Sequence, residues 1–195
     1  MVQLEGYLYQ RVKPVILSWN EPDIFAVSFF VYANAAYSYD SYTNVCRFDI
    51  GCALERYCTG APLQSEERWD PGVLCGDDAI IDPADPASEG IRTLFQWYAE
   101  NGVQNIGEEE DEEDCYDEDM QYVGKGPNGQ YELYTAVANV ARRLQEEKVL
   151  DNAFSKPIPI IIHAYEPVWY TKQFTEYANP NGQAADFLAY LSKMM

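Results

Sequence analysis

Residues 24–32, IFAVSFFVY, constrain the fold of this chain more than any other segment. Almost every residue there is apolar, β-branched or aromatic, which is typical of a β-strand. A strand with one face in water would alternate apolar and polar residues, and this segment does not. We therefore predict a central strand that is buried on both faces.

Two further segments predict strands. Residues 46–52 alternate apolar side chains with Arg47, Asp49 and Gly51, the period of two that indicates a half-buried strand. This strand and the first most simply pair as an antiparallel hairpin across the tyrosine-rich connection YSYDSYTN. Residues 158–162 form another apolar strand, and Pro157 and Pro159, which lack N–H groups, suit a strand start or a sheet edge.

Apolar residues at helical spacing predict five helices. They cover most of residues 2–17, the segment 91–98, residues 129–148, and two closing segments at 168–178 and 183–193. Pro14 is expected to stop or kink the first helix at about Lys13. Ser88 is placed to cap the start of the second helix, and Asn101 with Gly102 to end it.

The order of these elements favours an α+β fold, with a mainly antiparallel sheet flanked by helices. Residues 59–87 are rich in Pro, Gly and Asp, so we expect long loops there that wrap the core, with Trp69 as an anchor. The chain has 195 residues, and 47% of them are hydrophobic, which suits one core. We therefore predict a single domain over residues 1–195.

Composition also bears on location and chemistry. No stretch approaches the roughly 20 apolar residues of a membrane helix, and MVQLEGYLYQRVKP at the N-terminus does not resemble a secretion signal, so we expect a cytoplasmic protein. The five cysteines form no CxxC pair, and the chain has one histidine, which favours reduced structural thiols. We predict no cofactor, and we assign no residue to a metal site.

The most unusual segment is GEEEDEEDCYDED, residues 107–119, which we call the acidic loop. Its ten carboxylates carry about half of the net charge of −19, and without them the chain would still carry −9. Because the carboxylates repel one another, we expect the loop to be solvated and mobile until a cation, a metal or a basic protein neutralises it. A solvated loop without function, a protein-recognition surface and a divalent-metal site all remain open, although the ligand register of an EF-hand is missing.

Signals for catalysis are few. His163 lies at the predicted end of the third strand, with Glu166 three residues on, and a hydrogen-bonded structural histidine is favoured over a catalytic one. The segment GKGPNG at 124–129 precedes a helix but lacks the GxxxxGK[ST] pattern, so we interpret it as a turn and not as a phosphate-binding loop. We predict no catalytic residue.

The charge predicts the class of partner. A net charge of −19 repels phosphate backbones and anionic lipids, so we expect no nucleic-acid and no membrane partner, and the complementary partner is a basic protein. Acidity also serves solubility, which leaves that interpretation open. Tyrosines around the predicted hairpin combine apolar area with a hydroxyl group, which suits protein recognition as a group, although a position at the edge of the core is favoured for any single tyrosine. The candidate partner-binding residues are Glu109, Asp111, Glu112, Asp114, Asp117, Asp119, Tyr37, Tyr39 and Tyr42.

Several segments together resemble a family of small acidic bacterial proteins of unknown function. They are YSYDSYTNVCRFDI, SEERWDP, CYDEDMQYVGKGPNGQYELYTAVANVARRLQ, KPIPIIIHAYE and YANP. Some proteins of this family look like immunity proteins of polymorphic toxin systems, which neutralise a toxin by binding it. The resemblance spans most of the chain, implies this role and assigns no functional residue.

The leading hypothesis is therefore a non-catalytic binding protein, of the immunity type, that holds a basic protein toxin. One alternative is a metal-dependent hydrolase that uses acidic residues and His163, which requires a polar pocket that gathers His163 with two or more carboxylates. Another is a structural subunit of a larger assembly, which requires an exposed apolar patch of more than a few hundred Å².

Overall fold

The predicted central strand is confirmed. In the computed structural model, which describes residues 3–58, 60–74, 76, 78–85 and 87–194 apart from the side chain of Glu112, this strand pairs with a neighbour on each side and is buried along all but its last residue. The strands are β1 (Ile24–Ala33), β2 (Ser38–Tyr39), β3 (Tyr42–Thr43), β4 (Cys46–Leu54), β5 (Asp78–Ile81) and β6 (Ile160–His163). The main sheet has the order β5-β4-β1-β6, in which β6 alone runs parallel to its neighbour, and β2 with β3 forms a separate small hairpin.

All five predicted helices are present, and the α+β class is confirmed. The helices are α1 (Leu4–Ser18), α2 (Glu55–Cys58), α3 (Glu66–Trp69), α4 (Pro71–Leu74), α5 (Glu89–Glu100), α6 (Gln130–Glu146), α7 (Val149–Phe154), α8 (Trp169–Ala178) and α9 (Ala185–Met194). The predicted start of α5 is correct, because the Ser88 hydroxyl accepts a hydrogen bond from the Ile91 N–H at 3.3 Å. Within the described residues, no helix is both long and apolar enough to cross a membrane.

Helices cover both faces of the main sheet. On the first face, Val27, Phe29 and Val31 belong to the larger hydrophobic cluster, together with side chains of α1, α5, α6 and α8. On the second face, Ala26 and Ile161 belong to a smaller cluster with side chains of α3, α4 and α9. The continuous apolar run of β1 therefore serves two cores, one on each side of the sheet.

Residues 46–52 form the predicted strand, which pairs antiparallel with β1, but the prediction that this strand is half-buried is wrong. Asp49 of β4 is only 4% exposed, and Gly51 is buried as well. Arg47 closes this part of the second face, because its Nε donates to both carboxylate oxygens of Asp49 at 2.9 and 2.7 Å, and its guanidinium also reaches Asp82 at 2.8 Å. Apolar and polar residues do alternate along this strand. The polar face is covered by the ion pairs of Arg47, however, and does not face water.

Pro14 does not stop the first helix near Lys13, since α1 continues to Ser18, and the predicted helix over most of residues 2–17 is confirmed. Proline removes one hydrogen bond and costs a helix about 3 kcal/mol. The helix nevertheless continues because Leu8, Val12 and Ile16, on both sides of the proline, are fully buried in the larger cluster. Packing of this face outweighs the local penalty.

Two regions contain more structure than predicted. Residues 59–87, predicted as long loops, include α3, α4 and the edge strand β5, while Trp69 is buried as expected. The helix predicted over 129–148 ends at Glu146, and Lys148, in the left-handed conformation, separates it from α7. Cys75 lies outside the described residues, and the other four cysteines are free thiols, as predicted.

The outer edge of β6 is closed by side chains of α8 and of the residue that follows it. Asn179 accepts a hydrogen bond from the Ile160 N–H at 2.9 Å and donates to the Ile160 carbonyl at 2.7 Å. Thr175 Oγ1 accepts from the Ile162 N–H at 3.2 Å and donates to the Ile162 carbonyl at 3.1 Å. The predicted edge position of this strand is confirmed, and its polar groups are satisfied without a further strand.

Candidate functional site

The second half of the acidic loop turns back on itself. After a 3₁₀ turn at Glu112–Cys115, Tyr116 and Tyr122 form an antiparallel bridge. The carboxylate of Asp117 accepts hydrogen bonds from the N–H groups of Asp119 and Gln121 at 2.9 and 2.8 Å, which closes the turn between them. An aspartate side chain that binds the backbone two residues on is a common turn device, so Asp117 has a structural role here.

The base of the loop is tied by Glu110 and Cys115. Glu110 Oε2 accepts from the Lys125 N–H at 2.9 Å and from the Cys115 thiol at 3.6 Å. The Cys115 carbonyl accepts from the N–H groups of Val123 and Gly124 at 2.8 and 3.2 Å. Burial of the thiol and the nearby Glu110 carboxylate raise the pKa of Cys115, so it remains a protonated donor.

The segment that follows the loop fixes it to the helical layer. Trp169 Nε1 donates to the Gly124 carbonyl at 2.9 Å, and the Tyr170 hydroxyl donates to the Lys125 carbonyl at 3.1 Å. Gln130, the first residue of α6, is buried and donates to Tyr170 at 2.8 Å. Residues 124–129 thus form a structural turn, as predicted, and protein atoms cover the start of α6.

The acidic loop also contacts the small β2–β3 hairpin, which we call the tyrosine hairpin. Asn44, just after β3, donates from Nδ2 to the Gly107 carbonyl at 3.3 Å and to Glu109 Oε1 at 2.8 Å. Gly107 has a φ of +80°, and a Cβ atom there would lie 1.9 Å from the Thr43 carbonyl oxygen. Only glycine permits this close approach, so the hairpin and the loop form one continuous surface.

The three candidate tyrosines do not share one environment. Tyr39 and Tyr42 stack against Phe95 of α5, with ring centroids 4.5 and 5.4 Å away, and Tyr42 is 37% exposed. Tyr37 instead packs towards the main sheet, where its hydroxyl lies 3.0 Å from that of Tyr32. The structure therefore places Tyr39 and Tyr42, on the hairpin itself, in the surface next to the loop.

The structure divides the candidate carboxylates into two groups. Glu109 and Asp117 accept hydrogen bonds that hold the loop, and so does Glu110, which was not among the candidates. The side chain of Glu112 lies outside the described part of the chain. The loop carboxylates that point into solvent, without a hydrogen bond or an ion pair among the described residues, are Glu108, Asp111, Glu113, Asp114, Glu118 and Asp119.

Three apolar side chains lie among these carboxylates. Met120 at the tip of the turn is 75% exposed, and Tyr116 and Val123 are also exposed. These three side chains were not predicted from the sequence, and neither were Glu108, Glu113 and Glu118, because charge density alone does not indicate the turn that exposes them. The only sequence signal is the aspartate at 117, which favours a turn at the following residues.

Comparison with protein-family models, curated proteins and solved structures yields no match. The resemblance to immunity proteins therefore stays a prediction, and any function has to be inferred from the geometry of the chain itself.

His163, the candidate of the hydrolase alternative, is 4% exposed. Its Nε2 lies 2.7 Å from the fully buried Ser28 hydroxyl, and its Nδ1 lies 3.2 Å from the Ala164 carbonyl. Burial lowers the pKa of His163 to about 4, so the imidazole is neutral at pH 7. With Nδ1 donating to the carbonyl, Nε2 accepts from Ser28, and both ring nitrogens are satisfied.

His163 also lines a cavity of about 240 Å³, together with Glu66 and Asp70. Glu166, its neighbour in sequence, does not line this cavity among the described residues. No group of three His, Cys, Asp or Glu side chains that could hold a metal ion occurs in the described part of the chain. The cavity does gather His163 with two carboxylates, as the hydrolase alternative requires. Both ring nitrogens of His163, however, already bond to protein oxygen atoms, which supports the structural role that was favoured for this residue.

Proposed function

We propose that the protein is a non-catalytic binding protein that holds a basic protein partner on the surface formed by the acidic loop and the tyrosine hairpin. One observation carries this proposal. The loop is tied at its base and closed at its turn by its own acidic and cysteine side chains, while six other carboxylates face solvent without a cation among the described residues.

A surface shaped in advance binds more tightly than a disordered run of the same charge. Ordering a flexible segment opposes association by about 0.5–1.5 kcal/mol for each immobilised side chain. The hydrogen bonds of Glu110 and Asp117 reduce this entropy loss because they order the backbone before a partner arrives. The outward carboxylates then accelerate encounter with a basic partner through long-range attraction.

The surface also offers apolar contacts, which charge alone does not supply. Met120, Tyr116 and Val123 project among the carboxylates, and Tyr42 is exposed on the adjacent hairpin. Interfaces obtain most of their affinity from a few aromatic and flexible apolar side chains, surrounded by polar groups. A mixture of this kind suits a specific protein partner better than a diffuse counterion.

The immunity role is the form of this function that the family resemblance implies. An inhibitor of this type needs only to cover the active site of a toxin, and an acidic surface is complementary to a basic enzyme. The net charge of −19 and the outward loop carboxylates support this form of the proposal.

Capture of partners with three purified, tagged proteins tests the proposal. The first is the wild type, and the second carries Asp111→Asn, Asp114→Asn and Asp119→Asn, which remove three outward charges without touching the structural carboxylates. The third carries Asp78→Asn, Glu166→Gln and Glu176→Gln, which remove three exposed charges outside the loop. Proteins from the native host are captured at low and high salt and identified by mass spectrometry.

We expect one basic protein to bind the wild type and the control variant at low salt and to be lost from the loop variant. Equal recovery by all three proteins would remove the loop from the function, and recovery of no basic protein would refute the proposed partner class. The immunity form has a further requirement. An equimolar amount of the protein should inhibit the enzymatic activity of the captured partner, and full residual activity would exclude that form.

A further inference from the structure

A preformed cavity lies over the second sheet face, away from the acidic loop. It has a volume of about 240 Å³ and lies where the end of β6 meets α3, α4 and α9. Trp69 and Phe187 form one wall, with ring centroids 5.3 Å apart in an edge-to-face arrangement, and Tyr190 continues it 6.2 Å from Phe187. Trp69 is held in turn by Phe25, at 5.5 Å, so the aromatic wall is fixed by packing on the sheet.

The charged side chains that line this cavity are both carboxylates. Glu66, the first residue of α3, and Asp70, which follows its last residue, line the cavity, and both are exposed. No lysine or arginine lines it among the described residues. Arg68, whose guanidinium lies 5.8 Å from the Trp69 ring centroid, is outside the lining and pairs with Glu55. The lysines of the adjacent helices bond elsewhere, since Lys172 donates to Ser192 at 3.0 Å and Lys193 donates to Gln64 at 3.2 Å.

The protonation states of His163 and Tyr190 also indicate the charge inside the cavity. His163 contributes a neutral imidazole to the wall, because burial keeps its pKa at about 4, so it adds no positive charge at pH 7. Burial and then the carboxylates of Glu66 and Asp70 raise the pKa of Tyr190, which indicates that both carboxylates act on the same part of the cavity. The site is therefore aromatic inside and negative at its mouth.

We propose that this cavity binds a primary ammonium group on a short apolar stem. The stem would pack against Trp69 and Phe187, and the ammonium would lie between the aromatic faces and the carboxylates of Glu66 and Asp70. Cations bind to aromatic faces, and most strongly to those of tryptophan. The proposal is independent of the function proposed for the acidic loop, because no residue is shared between the two surfaces.

Three ligands of similar size test the charge requirement: pentylamine, 1-pentanol and pentanoate. The ring signals of His163 report binding by NMR without ambiguity, because it is the only histidine of the chain and it lines the cavity. We expect pentylamine to shift these signals in a saturable manner, pentanol to bind at least about fivefold more weakly, and pentanoate not to bind. Equal binding of pentylamine and pentanol, or no shift with pentylamine at millimolar concentration, would overturn the proposal.

Variants of Glu66 and Asp70 test whether these carboxylates bind the ammonium group. Glu66→Gln and Asp70→Asn should each weaken pentylamine binding by about threefold to fivefold and leave pentanol binding unchanged. Asparagine at 70 keeps the oxygen that accepts from the Gly72 N–H at 2.7 Å, and the Glu66→Gln variant alone provides the test if the other variant is unstable. Glu176→Gln, which removes an exposed carboxylate outside the cavity, is the matched control. An equal loss in the control, or no loss in either cavity variant, would contradict the assignment.

The ammonium group could belong to a free amine or to a lysine side chain. Nα-acetyl-lysine methylamide, which keeps the side-chain ammonium group and presents the same stem from a peptide backbone, distinguishes the two sources. Binding at least as tight as that of pentylamine identifies a lysine side chain, and loss of binding identifies a free amine. Both results support an ammonium site, whereas absence of binding by both ligands refutes it.

Discussion

His163 is the only histidine of the chain, and its surroundings determine its protonation. It lies beside Ser28 and the Ala164 carbonyl in the interior, and burial lowers its pKa from about 6.5 to about 4. Between these two pH values the unfolded chain holds a proton on this side chain that the folded chain does not hold. The titration of His163 therefore leaves the free energy of unfolding unchanged above about pH 6.5. As the pH falls from about 6.5 towards 4, it lowers the free energy of unfolding.

The expected size of this effect is about 3 kcal/mol, because one pKa unit corresponds to about 1.36 kcal/mol. Urea unfolding of the wild type and of His163→Gln at pH 7, 6, 5 and 4 measures it, since the difference between the two proteins removes the carboxylate contributions that they share. We expect the wild type to lose more stability than the variant as the pH falls. Parallel curves would show that His163 is not buried as described.

Arg47 provides a second test with a single side chain. It neutralises the buried carboxylate of Asp49, so Arg47→Met should lower the free energy of unfolding by about 3 kcal/mol. Arg56, which also pairs with two carboxylates but is exposed, is the matched control, and Arg56→Met should cost less than about 1 kcal/mol. Chemical denaturation measures both variants, and equal losses would contradict the difference in burial.

The candidate carboxylates show what could be predicted for single residues. Composition correctly predicted that the loop is exposed, because ten carboxylates in thirteen residues cannot be buried. It did not separate Asp117, which closes the turn, from Asp119, which faces solvent. That distinction depends on the path of the backbone, and neighbouring acidic residues have nearly the same sequence signal.

Among the elements, β6 and α8 form a unit whose stability depends on polar side chains. Asn179 binds both backbone groups of Ile160 and also accepts from Gln145 Nε2 at 3.0 Å. Asn179→Ala should lower the free energy of unfolding by about 2–3 kcal/mol, because several buried groups would lose their partners. Asn181→Ala, which changes an exposed asparagine two residues on, should have little effect.

Amide hydrogen exchange measures the local consequence of this change. We expect the Ile160 amide to exchange faster in Asn179→Ala, and the Ile162 amide to exchange faster in Thr175→Val, which keeps the shape of the side chain but removes its hydrogen bonds. Unchanged protection at both amides would show that the side chains do not close this edge.

The elements also show where the limits of sequence reasoning lie. Helical periodicity predicted all five helices, and a continuous apolar run predicted the central strand, because both patterns are local. The short strands β2, β3 and β5 were missed. β2 and β3 have two residues each, which is too short for a periodic pattern, and β5 pairs with the distant segment around Phe48. The close approach of Gly107 to Thr43 links residues 64 positions apart, and no local pattern could have predicted it.

At the scale of the whole molecule, the distribution of charge determines the proposed binding surface more than the total charge does. The ion pairs of the described residues all lie outside the acidic loop. The remainder of the chain is also negative, so the field of the protein attracts basic partners from all directions. The rigid base of the loop and the exposed Met120 distinguish this surface from the rest.

The most direct test of binding by the acidic loop is the affinity between this protein and the captured basic partner, measured by calorimetry over a series of salt concentrations. The wild type and the Asp78, Glu166 and Glu176 control variant should bind with the same steep salt dependence. The Asp111, Asp114 and Asp119 variant should bind about tenfold more weakly at low salt, with a shallower slope, because each exposed charge pair contributes up to about 1 kcal/mol. Equal affinities and slopes for all three proteins would contradict the account.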